Sequence, residues 1–286
     1  MRFGFVTCVQ LGLSCMEAIY ASGEKLVLAL TLEDNLAVRK SGRIYLDDFA
    51  ARHDLPLVKI RHIDDAATVS AIRAHTVDWL FIIGWSQIAA PAVLQAPRKG
   101  VLGMHPTLLP TGRGRAAIPW AILKRLPETG VSLFQLAPGV DTGPIIAQRR
   151  IPLTSDTDAT HLYAEVNAAH VSLIREVMPL LTADTLPGQP QDATKATVWP
   201  ERRPEDGRIR MSGSVHEAEC LIRAVTHPYP GAFVDSPAGR TVIWKARVVA
   251  QPQGKLCLHF HDGYLECLDY EPAPVTSSSR AGAPSG

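Results

Sequence analysis

Short apolar runs alternate with amphipathic stretches through the first half of the chain, the pattern of strands joined by crossover helices in a largely parallel sheet. Phe3–Val6, Lys25–Leu30, Leu57–Ile60, Asp78–Gly84 and Val101–His105 read as strands, and Leu13–Ala21, Tyr45–His53 and Ala67–Ala74 have helical spacing. Gly23 stands where the first of these helices needs a C-terminal cap. Two more strand-like runs, Gly130–Leu136 and Ile145–Leu153, bracket a loop rich in glycine and proline, Ala137 to Pro144, which the pattern puts at the open edge of the sheet. Leu162, Val166, Ala169, Leu173 and Val177 recur every three to four residues and predict a long helix over 159–181, packed along the same domain.

After this helix the pattern changes. Residues 1–185 form the expected first domain, and 186–200, opening on Leu-Pro-Gly-Gln-Pro, read as a linker. A smaller domain over 201–270 carries one helix, Val215–Val225, and strand-like runs at Thr241–Val249 and Lys255–Phe260, which predict a small β-barrel-like unit. The tail over 271–286, rich in Pro, Ser, Ala and Gly, has little to bury and is expected to be disordered.

With 286 residues and 46% hydrophobic side chains, the chain can fill a real core. Twenty-nine basic residues against 28 acidic ones give a net charge of +1, which supplies no field for nucleic acid or an anionic membrane, so any anionic ligand must be held by local charge. Five cysteines without a metal-type spacing point to free thiols in a reducing cytoplasm. Met1 to Val6 runs straight into a strand without a signal-peptide pattern, and no apolar run reaches the length of a membrane span, so the expected location is cytoplasmic.

The stretch that carries chemistry is Gly103-Met104-His105-Pro106-Thr107-Leu108-Leu109-Pro110, followed by Arg113-Gly114-Arg115 and later by Asp141-Thr142-Gly143. A histidine at a strand end has two readings, a satisfied core side chain or a catalyst. Open α/β sheets form their ligand crevice at such ends. If the Asp141 loop enters the same edge, its carboxylate can orient the imidazole and stabilise its charged form, so that the ring takes a proton from an attacking amine. The alternative for Asp141 is a turn-capping carboxylate. Arg113 and Arg115 either grip an anionic acceptor or support the turn, while Lys40 and Arg43 read first as a solvated loop and second as contacts to an acceptor phosphate. His259 and His261 alternate on a strand with Asp262 beside them, but without a clear third ligand at useful spacing they read as surface histidines and no metal is expected. Gly4, Gly12 and Gly23 are too far apart for a dinucleotide fingerprint.

His105 to Pro110 with Arg113-Gly114, Trp120-Ala121-Ile122, Thr129-Gly130-Val131 and Asp141-Thr142-Gly143-Pro144 together resemble the signature of the 10-formyltetrahydrofolate-dependent formyltransferases. Pro204-Glu205-Asp206-Gly207, Ile222-Arg223-Ala224 and Pro228-Tyr229-Pro230-Gly231-Ala232-Phe233 are similar to the C-terminal domain of that family's tRNA and sugar enzymes. The resemblance implies an α/β fold: a Rossmann-like formyltransferase domain with a mostly parallel sheet, followed by the β-barrel-like domain. It also implies His105 and Asp141 as the catalytic pair, and 10-formyltetrahydrofolate beside Ile83, Gly84, Trp85, Leu136, Gly139 and Val140. Arg113, Arg115 and Gly103 would face the acceptor.

One position departs from the family. Where its members carry an asparagine whose amide is thought to hold the formyl oxygen, this chain has Gly103. Loss of one donor to a developing oxyanion costs about two to three powers of ten in rate. A backbone N–H, water, Gln87 or Ser86 replaces the donor, or the acceptor or one-carbon group differs, or the protein binds folate without catalysing transfer. The leading expectation is formyl transfer to a primary amine on a small molecule, a nucleotide-linked amino sugar foremost. The alternatives are a methionyl-tRNA formyltransferase, disfavoured by the near-neutral charge, and a non-catalytic folate-binding regulator or a 10-formyltetrahydrofolate hydrolase. A homodimer is compatible with all of these.

Overall fold

In the computed structural model, residues 1–37, 42–237 and 239–272 are described. Lys40 and the tail from 273 onward lie outside the described residues. The chain divides into two compact units, Met1–Arg202 and Arg203–Gly286.

The first unit is built on strands β1 (Phe3–Val6), β2 (Leu26–Leu32), β3 (Leu57–Ile60), β4 (Trp79–Ile83) and β5 (Gly100–His105), all parallel. After the two-residue β6 (Arg113–Gly114), strands β7 (Glu128–Gln135) and β8 (Ile145–Pro152) add in antiparallel sense, giving the order β3-β2-β1-β4-β5-β7-β8. Helices α1 (Gln10–Ala21), α2 (Asp34–Ala37), α3 (Asp47–His53), α4 (Ala66–Ala74), α5 (Pro91–Leu94), α6 (Ala117–Leu123) and α7 (Ala159–Thr182) connect or cover them. The central strands β1, β2 and β4 are buried on both faces, which is why they read as unbroken apolar runs instead of alternating ones. On one face Val6, Leu30, Ile60, Leu80 and Ile82 pack with Ile72 of α4 and Val93 of α5. Helix α7 buries Leu162, Val166, His170, Leu173 and Val177 along one stripe, and Asp158 caps its start by accepting the His161 N–H at 2.8 Å.

Helix α6 escapes the apolar periodicity because it is only seven residues long. Pro119 sits in its first turn, where a missing N–H leaves no helical bond unmade. The strand order reverses between β1 and β4, so loops diverge there at the C-terminal ends of the strands and leave a crevice. His105 ends β5 on that edge.

The segment expected as a linker is hydrogen-bonded to the first unit. Gln189 exchanges both backbone bonds with Ile145 at 2.8 Å, and β9 (Val198–Trp199) pairs with β6. The second unit holds α8 (Val215–Val225) and a curled antiparallel half-barrel of β10 (Ala232–Ser236), β11 (Gly239–Val249), β12 (Cys257–Phe260) and β13 (Gly263–Pro272), in the order β10-β11-β13-β12. His259 stacks on Tyr264, and Asp262 accepts the Val215 N–H at 2.9 Å, which ties down the start of α8. Among the described residues, no helix is long and apolar enough to cross a membrane, and no cluster of three or more metal-type side chains occurs.

Candidate active site

His105 closes β5 in register with Ser132 of β7, and Pro106, which has no N–H to donate, follows it. The histidine is 8% exposed. Its Nε2 lies 2.7 Å from the Gly112 carbonyl oxygen. A carbonyl only accepts, so Nε2 carries the hydrogen and Nδ1 is left as the nitrogen that can take a proton. Nδ1 faces Asp141 Oδ2 at 3.7 Å, too long for a direct hydrogen bond but close enough for the carboxylate to stabilise a positive ring. The structure thus brings together the two residues singled out from sequence.

The turn after His105 is fixed from β7 and β8. Ser132 Oγ donates to the Thr107 carbonyl at 2.7 Å and accepts the Leu109 N–H at 3.0 Å, while Gln148 Nε2 donates to both Ser132 Oγ and the Leu109 carbonyl. Asp141 sits in the left-handed region with φ of 53°, and its Oδ2 accepts the Gly114 N–H at 2.8 Å. Gln191 donates from Nε2 to the carbonyls of Asp141 at 2.8 Å and Gly143 at 2.7 Å. Its Oε1 accepts from Nε and Nη2 of Arg113 at 3.1 and 2.6 Å. Thr197 supplies Oγ1 to the Gly112 N–H at 2.9 Å and its carbonyl to the Arg113 N–H.

Beside the pair lies an apolar wall. Trp85 and Leu136, both half-buried, pack on the core cluster that includes Ile82, whereas Ile83, expected beside the folate, is fully buried on the other face of β4 and lies outside that cluster. Gly84 has φ of +67°, and a Cβ there would stand 2.2 Å from Val9 Cγ2, so the turn out of β4 admits only glycine. A Cβ on Gly103 would stand 2.7 Å from Leu136 Cδ2. The space over Gly103 is therefore filled by leucine, and a larger side chain enters only if Leu136 moves. Gly139 and the exposed Val140 complete the loop that leads into Asp141.

The arginines are already engaged. Arg113 is forked onto Gln191, and Arg115 donates from Nη2 to the Ser86 carbonyl at 3.0 Å and approaches Glu201 at 3.5 Å. Arg43 lies over the Tyr45 ring. Gln87 is held toward residues 61–63: its Oε1 accepts from the Ile63 N–H and Trp85 Nε1, and its Nε2 donates to the Arg61 carbonyl. A depression of 550 Å³ elsewhere on the unit is lined by Asp47, Asp54 and Lys59, and Lys59 there is tied to Asp34 and Asp47.

Sequence reasoning missed Gln191, Thr197, and a second buried imidazole, His170 of α7. His170 Nδ1 donates to the Val166 carbonyl at 2.7 Å, and burial, with a smaller contribution from the nearby His105, pushes its pKa down from 6.5 to about 4. A basic group depressed in the folded state contributes stability that is complete above the unfolded value and lost as pH falls toward the folded one. Between pH 7.5 and 5 the protein should lose about 2 kcal/mol on this account. Urea unfolding at the two pH values measures it, and His170→Gln should remove most of that difference.

The arrangement, then, is an imidazole facing a carboxylate, at the C-terminal edge of a parallel sheet, beside an apolar wall. Comparison with known proteins gives two family matches in order along the chain: Formyl transferase over residues 28–178, and Formyl transferase, C-terminal domain over residues 202–265. Among solved structures, HypX from Aquifex aeolicus in complex with tetrahydrofolic acid superposes with a TM-score of 0.68 at 17% identity, covering 96% of this chain and 44% of that one. The chain thus spans less than half the length of HypX. An N-formyltransferase from Helicobacter canadensis, in complex with folinic acid and dTDP-3-aminofucose, gives 0.68 at 16% identity over 93% of this chain and 98% of that one. Methionyl-tRNA formyltransferase from Clostridium thermocellum gives 0.62 at 18% identity, with coverage of 95% and 98%. These likenesses establish a common fold, and the first family match, extending over more than half of the 286 residues, establishes that this chain belongs to the formyl transferase family.

Proposed function

We propose that this chain transfers a formyl group from 10-formyltetrahydrofolate to a primary amine of a small molecule, with a nucleotide-linked amino sugar as the acceptor. The observation that carries the reading is the His105–Asp141 pair, 3.7 Å apart beside the apolar wall. Apolar Leu136, the Trp85 indole and the loop backbone at Gly139 and Val140 fit a flat heteroaromatic ring with a polar edge. These residues would hold the folate, which supplies the formyl carbon as an electrophile.

The protein's own part is proton handling. Because Nε2–H is held by Gly112, Nδ1 is the position on His105 that takes the proton an attacking amine must lose. The gap between Nδ1 and Asp141 Oδ2 lets both groups contact one incoming nitrogen, the ring accepting its proton and the carboxylate orienting another N–H. Gly103 contributes no side-chain donor, and Leu136 keeps water from the space above it.

The amino-sugar acceptor is supported by the likeness to the Helicobacter canadensis enzyme with its dTDP-3-aminofucose, and by a net charge of +1 that gives little attraction for a long RNA. Incubating the protein with 10-formyltetrahydrofolate and a panel of dTDP- and UDP-linked amino sugars should release tetrahydrofolate in step with an N-formylated sugar. Formylation of methionyl-tRNA alone would overturn the acceptor assignment. Formate release that no amine suppresses would make the protein a hydrolase.

A further inference from the structure

We infer that Gln191 is a positioning residue for the His105–Asp141 pair, clamping the Asp141 loop from a segment whose sequence reads as a linker; the inference rests on the formyl-transfer reading. All four hydrogen-bonding positions of its amide are used. Both Nε2 hydrogens go to backbone carbonyls on either side of Thr142, at Asp141 and Gly143, and Oε1 takes the Arg113 fork. Asp141 needs such a hold because its backbone is in the left-handed region, which a non-glycine residue occupies at a cost unless its surroundings fix it.

The clamp acts on geometry at two points. Through the Asp141 and Gly143 carbonyls it sets where the carboxylate stands relative to His105 Nδ1. Through Arg113 it grips the short strand whose next residue, Gly114, donates its N–H to Asp141 Oδ2. The Asp141 backbone and its carboxylate are thus both referred to one amide, half-buried and remote in sequence from each. A misplacement of about 1 Å at a reacting group costs up to about 100-fold in rate, so the clamp should appear in turnover and leave folate affinity alone.

The test uses the full chain in three variants, Gln191→Ala, Gln191→Glu and Gln189→Ala. Glu keeps the acceptor for Arg113 but faces two carbonyl oxygens without a donor, so it separates the two ends of the bridge. Turnover is read with 10-formyltetrahydrofolate and dTDP-3-aminofucose, and Gly114 N–H exchange is followed by NMR in the absence of ligand. In both Gln191 variants kcat should fall about 10- to 100-fold, KM for 10-formyltetrahydrofolate should stay within about twofold, and Gly114 should exchange about tenfold faster or more. Core amides such as Phe81 and Leu133, and the Gln189→Ala protein throughout, should match the wild type. Wild-type turnover in Gln191→Glu, or faster Gly114 exchange with unchanged turnover, overturns the inference. If the wild type forms no formylated sugar, the functional reading fails, and Gly114 exchange then decides the clamp alone: unchanged exchange in Gln191→Ala overturns it, and faster exchange upholds it.

Discussion

Replacing His105 with alanine is expected to lower kcat for formyl transfer by about 10²- to 10⁴-fold, the range a positioned general base contributes. KM for the folate donor should change little, because the wall that would hold it is built from Trp85 and Leu136 and not from the imidazole. The substitution removes one buried hydrogen bond, to the Gly112 carbonyl, which costs about 1 kcal/mol. The urea midpoint should therefore move only modestly, and circular dichroism should match the wild type. Steady-state kinetics on a folded His105→Ala protein checks this, and a loss of less than about tenfold would remove the base from the mechanism.

The second large effect is expected at Asp141. Asparagine there keeps an oxygen for the Gly114 N–H but deletes the charge 3.7 Å from Nδ1. Turnover should drop by about 10²-fold or more, as when a histidine loses the carboxylate that orients it and stabilises its charged form. Asp141→Glu tests geometry against charge. The longer side chain restores the anion but not its registration on Gly114, so it should recover part of the activity and not all of it. Equal turnover in wild type and Asp141→Asn would reduce Asp141 to a turn-forming residue, the plainer of its two sequence readings.

Much of this was legible before any coordinates. The parallel strands announce themselves because burial on both faces leaves no polar positions in Phe3–Val6 or Trp79–Ile83. His105 and Asp141 stand out because a strand end followed by proline and a glycine-rich loop each mark the edge where open sheets bind ligands. What the sequence hides is which polar atom meets which. Arg113 and Arg115 read either as cations for an anionic acceptor or as supports of the turn, and only the structure shows their partners, Gln191 and the Ser86 carbonyl. Gln87 looks like a spare amide and is bonded to Ile63, Trp85 and Arg61.

Gln191 itself carries no local signal. It lies in a Pro- and Gln-rich stretch without periodicity, and its partners at 141 and 143 are remote in the chain. The two-residue strands β6 and β9 are equally silent, since a ladder that short leaves no pattern of apolar positions. His170 was hidden for the opposite reason. It falls on the apolar stripe of α7, where the periodicity predicts a hydrophobic residue, and only its burial shows that it must stay neutral.

The strap formed by Gln191, Thr197 and Trp199 bears on how the protein is made. Every strand of the large sheet has been synthesised by the time Pro152 leaves the ribosome, and the family match to the first unit ends at residue 178. The contacts that hold Gly112, Gly114 and Asp141 come later, from residues 191 to 199. A nascent chain can thus complete its sheet well before these contacts exist, and the last stretch of the first unit to be translated is the one that ties the loops around His105 and Asp141 to each other.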